Sequence, residues 1–156
     1  MYLGLGSNLG DREETIRKAY NEIERLIGAI KRQSAFYYSE PWGFDSQNAF
    51  VNTVILVETE LSPHQLLQCT QRIERLMGKK KKHATERSTL NVQCSMFNVQ
   101  CSMFNGQRPV YHDRPIDIDI LLYDDLTIDE PHLKIPHPLM QERPFVMTPL
   151  LSILHQ

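Results

Sequence analysis

Pro115-Ile116-Asp117-Ile118-Asp119-Ile120-Leu121-Leu122-Tyr123 is the stretch on which the fold of this chain turns. Apolar residues alternate with the two aspartates at a period of two, which predicts a strand over Ile116 to Tyr123, closed by Asp124-Asp125. Positions i and i+2 of a strand share a face, so Asp117 and Asp119 stand about 6.6 Å apart along the chain while the isoleucines enter a core on the other side. Two carboxylates at that separation repel by roughly 2.5 kcal/mol at an effective dielectric near 20. Aspartate is also disfavoured in strands to begin with. A solvated sheet face would tolerate the pair. The apolar run through Leu121 and Leu122 instead predicts a central strand, where a divalent cation removes the conflict. Hard oxygen ligands with room for water and phosphate suit magnesium.

Working outward from this strand, the rest of the chain supplies its partners. Upstream, Ser62-Pro63 is a cap followed by proline at the first helical position, with Gln65 three residues beyond the cap as its box partner. That helix runs through Leu66, Leu67, Ile73, Leu76 and Met77 to Gly78. The β-branched stretch Phe50 to Val57 predicts a strand before it, and Ile30 to Tyr38 another. At the start, Tyr2 to Leu5 is a short buried strand that leads through Gly6-Ser7-Asn8-Leu9-Gly10 into a helix. Asp11 caps this helix, Glu14 is its box partner, and Gly28 stops it. Prolines at 131, 136, 138, 144 and 149 allow only short helical turns in the tail. Strand, helix, strand, strand, helix, strand is the split βαβ order, so the expected fold is α+β: a ferredoxin-like α/β/α sandwich with a mainly antiparallel central sheet.

With 156 residues the chain is expected to be one domain. Hydrophobic residues at 41% and charged residues at 23% are those of a globular protein rather than a disordered one. Seventeen basic against nineteen acidic residues, a net charge of −2, argues against a nucleic-acid coat. No apolar run approaches the roughly 20 residues that span a bilayer, and no basic leader precedes Met1-Tyr2-Leu3-Gly4, so a cytoplasmic protein is expected. From Lys79 to Val110 no periodicity is convincing, which predicts a long mobile loop. Inside it Asn91-Val92-Gln93-Cys94-Ser95-Met96-Phe97 is repeated at once as Asn98 to Phe104, a local duplication too short for a solenoid. Cys94 and Cys101 are therefore one cysteine copied, and Cys69, among Leu66, Leu67 and Ile73, is small core filler.

Cations lie near the acidic strand in sequence: Arg114 before it, His137 and Arg143 after it, and Lys79 to Lys82 with Arg87 at the start of the loop. Arginine offers a bidentate fork for phosphate oxygens and lysine a point charge, which suggests phosphoryl-type transfer by positioning and electrostatics. The lysines could equally form a solvated face. Gly4-Leu5-Gly6-Ser7-Asn8-Leu9-Gly10 has neither dinucleotide nor Walker spacing, and tight-turn geometry explains its glycines best. Trp42, Phe44, Phe50 and Phe145 are either core or the walls of a cleft. In the second case Asn52 stands between two rings, where a flat heterocycle could stack.

Seven stretches then occur in order: Gly6-Ser7-Asn8-Leu9-Gly10, Ser39-Glu40-Pro41-Trp42-Gly43, Phe50-Val51-Asn52, Gln71-Arg72-Ile73-Glu74, Arg114-Pro115-Ile116-Asp117-Ile118-Asp119-Ile120-Leu121, Pro136-His137-Pro138 and Arg143-Pro144-Phe145-Val146. Across about residues 2 to 154 the chain resembles the 6-hydroxymethyl-7,8-dihydropterin pyrophosphokinases of folate biosynthesis. The resemblance implies a ferredoxin-like sandwich that moves the β,γ-pyrophosphate of ATP onto the pterin hydroxymethyl group and leaves AMP. It implies that Asp117 and Asp119 hold two magnesium ions, with Asp117 a candidate base. Phe50 and Phe145 would sandwich the pterin, with Asn52, Ser39, Pro41, Trp42 and Tyr111 around it. Gln71, Glu74, Lys79, Lys81, Arg114, His137 and Arg143 would line the ATP side. Residues 79–110 would be the mobile catalytic loop. This chain has Lys79 and Lys81 where the family usually has arginines, and Tyr111 where it commonly has tryptophan.

The partners expected are therefore small molecules, ATP and the pterin, for a monomer that binds neither nucleic acid nor membrane. Two alternatives remain at this point. Paired aspartates also suit a metal-dependent phosphohydrolase, which would turn over ATP alone. Ferredoxin-like sheets also serve as non-catalytic RNA-binding modules, although the aromatic strand such modules use is missing here.

Overall fold

The computed structural model describes residues 1–40, 48–78 and 115–154. Along them run β1 (Tyr2–Ser7), α1 (Arg12–Leu26), β2 (Ala29–Gln33), β3 (Tyr37–Ser39), β4 (Phe50–Glu58), α2 (Pro63–Leu76) and β5 (Asp117–Leu122). Then follow β6 (Ile128–Glu130), β7 (Leu133–Ile135), a 3-10 turn at Met140–Glu142 and α3 (Pro144–Leu154). The main sheet is ordered β2-β4-β1-β5, with β3 pairing β4 beyond β2, and all its pairs are antiparallel. β4 thus lies between β1 and β2, the split βαβ arrangement expected of an α+β chain.

Two cores hold the layers. On one face α1 and α2 bury Ile16, Ala19, Ile23, Leu66 and Ile73 against Leu3, Leu5, Ile55, Ile118 and Ile120. On the other, α3 buries Phe145, Val146, Leu150 and Ile153 against Val54 and Leu121. Cys69 is half-buried beside the first core, as filler. The predicted caps Asp11 and Ser62 are in place, but only the second is a full box: at α1 the Glu14 side chain does not close back on Asp11. Asp11 accepts from the Glu14 backbone N–H at 3.1 Å, and at α2 both bonds of the Ser62/Gln65 box form, at 3.3 and 3.0 Å. The Glu14 side chain lies 3.8 Å from Lys18 on the next turn. Gly28 follows α1 because a Cβ there would run into the Glu58 carbonyl oxygen.

Several local expectations are corrected. β1 continues through Gly6 and Ser7, so Gly4 and Gly6 are strand residues; only Gly10, at φ +58°, has the turn conformation expected of the run. The strand expected over Ile30 to Tyr38 is two strands. Gln33 faces Ile55 and Tyr37 faces Asn52, so four steps on one chain match three on the other, a one-residue bulge. The Ser34 hydroxyl takes over there, accepting from the Val54 N–H at 3.0 Å and donating to the Ala35 carbonyl at 2.9 Å. The tail holds an 11-residue helix rather than isolated turns. Pro144 occupies its first position, where no N–H is needed, and the hydrogen bond lost at Pro149 is offset by burying Phe145, Val146, Pro149, Leu150 and Ile153. Finally, among the described residues β5 ends the sheet and is not central. It is apolar all the same, because helices cover both of its faces and the chain at His137 covers its outer edge, where the His137 N–H donates to the Leu121 carbonyl at 3.0 Å.

Candidate active site

Asp117 and Asp119 are buried, at 1% and 9% exposure, and face Gly6 and Gly4 across the ladder. On the other side of β1, Gly6 faces Asn52 and Gly4 faces Val54, and Asn52 in turn faces Tyr37. Directly paired residues share a face, so Tyr37, Asn52, Gly6 and Asp117 form one row across the sheet, and Val54, Gly4 and Asp119 the next. Both rows lie on the α3 side. Gly6 therefore puts no β1 side chain between the Asn52 amide and Asp117, while over Gly4 the space is taken by the buried Leu121 side chain.

Phe50 and Asn52 alternate onto this same face, and Phe145 packs on it through the α3 core. All three are buried, at 5%, 1% and 7% exposure. Asn52 donates from Nδ2 to Ser39 Oγ at 2.8 Å, and its Oδ1 has no hydrogen-bond partner among the described residues. Arg143 is wholly buried, with its guanidinium carbon 5.9 Å from the Phe145 ring centroid, within reach of a cation–π contact. His137 is 7% exposed, and its Nδ1 accepts the Leu139 N–H at 3.3 Å. Burial first, and the Arg143 charge second, push this imidazole down to about 4, so it is neutral at physiological pH.

Gln71 and Glu74 stand one turn apart on α2. Glu74 is buried, and its Oε1 accepts the backbone N–H of Ile118, the residue between the two aspartates, at 2.9 Å. Of the expected site, Asp117, Asp119, Phe50, Asn52, Ser39, Phe145, Gln71, Glu74, His137 and Arg143 belong to the described residues. Pro41, Trp42, Lys79, Lys81, Tyr111 and Arg114 lie outside them, as do the 79–110 loop, its repeated heptad and Cys94 and Cys101. The sequence reading missed Gly4 and Gly6 as the β1 residues that face the two aspartates. The signal was there: small residues at i and i+2 of one strand matching acids at i and i+2 of another. It also missed Arg12, whose Nη1 donates to the Ala49 carbonyl at 2.6 Å and ties α1 to the residue before Phe50.

Among the described residues no three His, Cys, Asp or Glu side chains converge into a metal cage. Two buried carboxylates on one strand face instead fit a hard cation that keeps water or phosphate as its remaining ligands.

A sequence model of the 7,8-dihydro-6-hydroxymethylpterin-pyrophosphokinase (HPPK) family matches residues 2–101 and 100–155. The chain belongs to this family. The two matched HPPK segments meet inside the second copy of the heptad, so the family pattern continues on both sides of the repeat. Among curated relatives, the 2-amino-4-hydroxy-6-hydroxymethyldihydropteridine pyrophosphokinase of Porphyromonas gingivalis is 40% identical, over 98% of this chain and 89% of the relative. The proteins of the same name from Aquifex aeolicus and Bacillus subtilis are 37% and 32% identical, over 98% and 99% of this chain and 79% and 78% of their own lengths. The three helices and antiparallel sheet are the α+β fold of an HPPK.

Proposed function

We infer that the protein is a pyrophosphokinase of folate biosynthesis, transferring pyrophosphate from ATP to 6-hydroxymethyl-7,8-dihydropterin and releasing AMP. The observation that carries this reading is the row Asn52, Gly6, Asp117: a heterocycle-reading amide and a phosphate-side carboxylate on one face, with only glycine between them. A flat acceptor held at Asn52 and a triphosphate held at the aspartates would lie in line along that row.

In this reading Asp117 and Asp119 hold two Mg2+ ions, which, when bound, neutralise the triphosphate and orient it. The chain itself supplies position and a dry environment. Phe50 and Phe145 stack on the two faces of the pterin. Asn52, kept in orientation by Ser39, reads the pterin edge with its carbonyl, and Pro41, Trp42 and Tyr111 complete that side. Arg143 carries a fixed charge from beneath Phe145 toward the phosphates. His137 is neutral and donates a hydrogen bond without adding charge. Gln71, Lys79, Lys81 and Arg114 belong to the nucleotide side, and closure of the 79–110 segment completes the site. Asp117 is the candidate base for the hydroxymethyl proton. The protein works as a single-domain monomer on small molecules in the cytoplasm; among the described residues no helix is long and apolar enough to cross a membrane.

The test is AMP release by the full chain, with ATP, Mg2+ and the dihydropterin supplied together. Turnover that requires the pterin supports the reading, whereas ADP or phosphate release from ATP alone favours the phosphohydrolase. The RNA-module alternative is disfavoured by α3, which covers the sheet face such modules leave open.

A further inference from the structure

Among the described residues β5 ends the sheet, so its outward backbone groups have no neighbouring strand there to bond. The outward N–H of Ile118 donates to Glu74 Oε1 at 2.9 Å, and both residues are buried, at 5% and 6% exposure. A buried carboxylate is costly to desolvate. In the last turn of α2 it also meets the negative end of the helix dipole. Helix stability therefore gives no reason to place an acid there. Its reach to Ile118 is one reason: a charged acceptor makes a backbone hydrogen bond roughly twice as strong as a neutral one. The N–H it holds belongs to the peptide that joins Asp117 to Ile118, and the orientation of that peptide sets the direction in which the Asp117 side chain leaves the strand. One residue on, it sets the direction of Asp119 as well.

We propose that Glu74 is a positioning residue for the acidic pair, clamping the Asp117–Ile118 peptide so that both carboxylates are aimed before any metal arrives. Its role is exerted through Ile118 and requires no contact with the nucleotide. The proposal rests on the reading that Asp117 and Asp119 hold the divalent ions.

The experiment titrates Mn2+, as a paramagnetic stand-in for Mg2+, into the full chain with a non-hydrolysable ATP analogue. Amide exchange at Ile118 is followed by NMR in the metal-free protein. Glu74→Ala should weaken Mn2+ binding by about tenfold or more and expose the Ile118 amide to exchange, while Glu74→Gln, which keeps an acceptor oxygen at the same reach, should recover binding to within about threefold. Glu74→Asp keeps the charge but is one methylene too short, so it should behave like Glu74→Ala; it also serves if the alanine variant does not fold. Wild-type Mn2+ affinity in Glu74→Ala or Glu74→Asp overturns the proposal, and so does a Glu74→Gln loss as large as that of alanine. Asp117→Asn is the control that separates the two layers. If it too binds Mn2+ as the wild type does, the metal reading itself fails. If it is impaired while Glu74→Ala is not, only the positioning role fails.

Discussion

Asn52 Nδ2 donates to Ser39 Oγ at 2.8 Å, and this bond commits one end of the amide while Oδ1 is left without a partner among the described residues. Asn52 lies on β4 and Ser39 ends β3, so the contact also ties the short edge strand to the strand that carries Phe50. Removing the Ser39 hydroxyl leaves the amide free to turn over. Ser39→Ala should raise KM for the dihydropterin by about fivefold to tenfold with little change in kcat, the equivalent of one neutral hydrogen bond of about 1 kcal/mol. Asn52→Ala, which leaves a pterin donor without its partner, should cost about tenfold to a hundredfold in kcat/KM. Pterin titration by calorimetry reads both, and a Ser39→Ala variant that binds like wild type would show that the orientation is set elsewhere.

Asp119 is held on the same strand face as Asp117. Asp119→Ala is expected to abolish turnover while leaving the fold intact. In the wild type, Mg2+ with the ATP analogue should raise Tm, because a ligand that binds only the native state stabilises it. In the variant that rise should vanish although the ligand-free Tm stays within a few degrees of wild type. Differential scanning calorimetry with and without Mg2+ reads this, and retained turnover would refute the metal role of the residue.

His137 gives the protein a pH dependence of known sign. Its folded value, pushed down to about 4 by burial and then by Arg143, lies below the ordinary 6.5. The unfolded chain therefore binds more protons between these two values, and stability rises with pH across that window. The contribution is fully present above about pH 6.5 and is lost as pH falls toward about 4, a loss on the order of 3 kcal/mol. Urea midpoints measured from about pH 7 down to about pH 4.5 should fall more steeply for the wild type than for His137→Asn. Parallel curves would mean that the imidazole is not held neutral.

Gly28, just after α1, lies against the end of β4 at Glu58. A Cβ there collides with the backbone oxygen of Glu58, which cannot yield as a side chain would. Gly28→Ala should destabilise the protein by about 2–4 kcal/mol, read as a lowered urea midpoint at unchanged m-value. Gly10→Ala, where the strain is a positive φ with open space around it, should cost only about 1 kcal/mol.

The caps show what local sequence makes legible. Asp11, Ser62, Pro63 and Gln65 act within four residues of themselves, so helix starts can be read from the chain alone. The period-two run around Asp117 and Asp119 was legible for the same reason. Breaks caused by a distant partner were not. Ser34 interrupts a strand by bonding Val54, twenty residues on, and α3 tolerates Pro149 because a sheet formed by earlier residues receives its apolar side. Residues assigned by resemblance show the same division. Glu74 was expected on the nucleotide side, and its bond to Ile118, forty-four residues away, is a contact no local pattern announces.

What the sequence determined by itself was the α+β order, the two caps and the presence of an acidic pair on one strand face, because each depends on periodicity or on contacts within a turn. The tertiary structure decided where that face lies. It brought Gly6 of β1 between Asn52 and Asp117, put β5 at the edge of the sheet among the described residues, and turned Glu74 onto the peptide between Asp117 and Ile118. Those are register and packing choices. A one-residue slip would send every side chain of a strand to the opposite face, and only the burial of both faces at once, by α1 and α2 on one side and α3 on the other, selects the register that assembles the site.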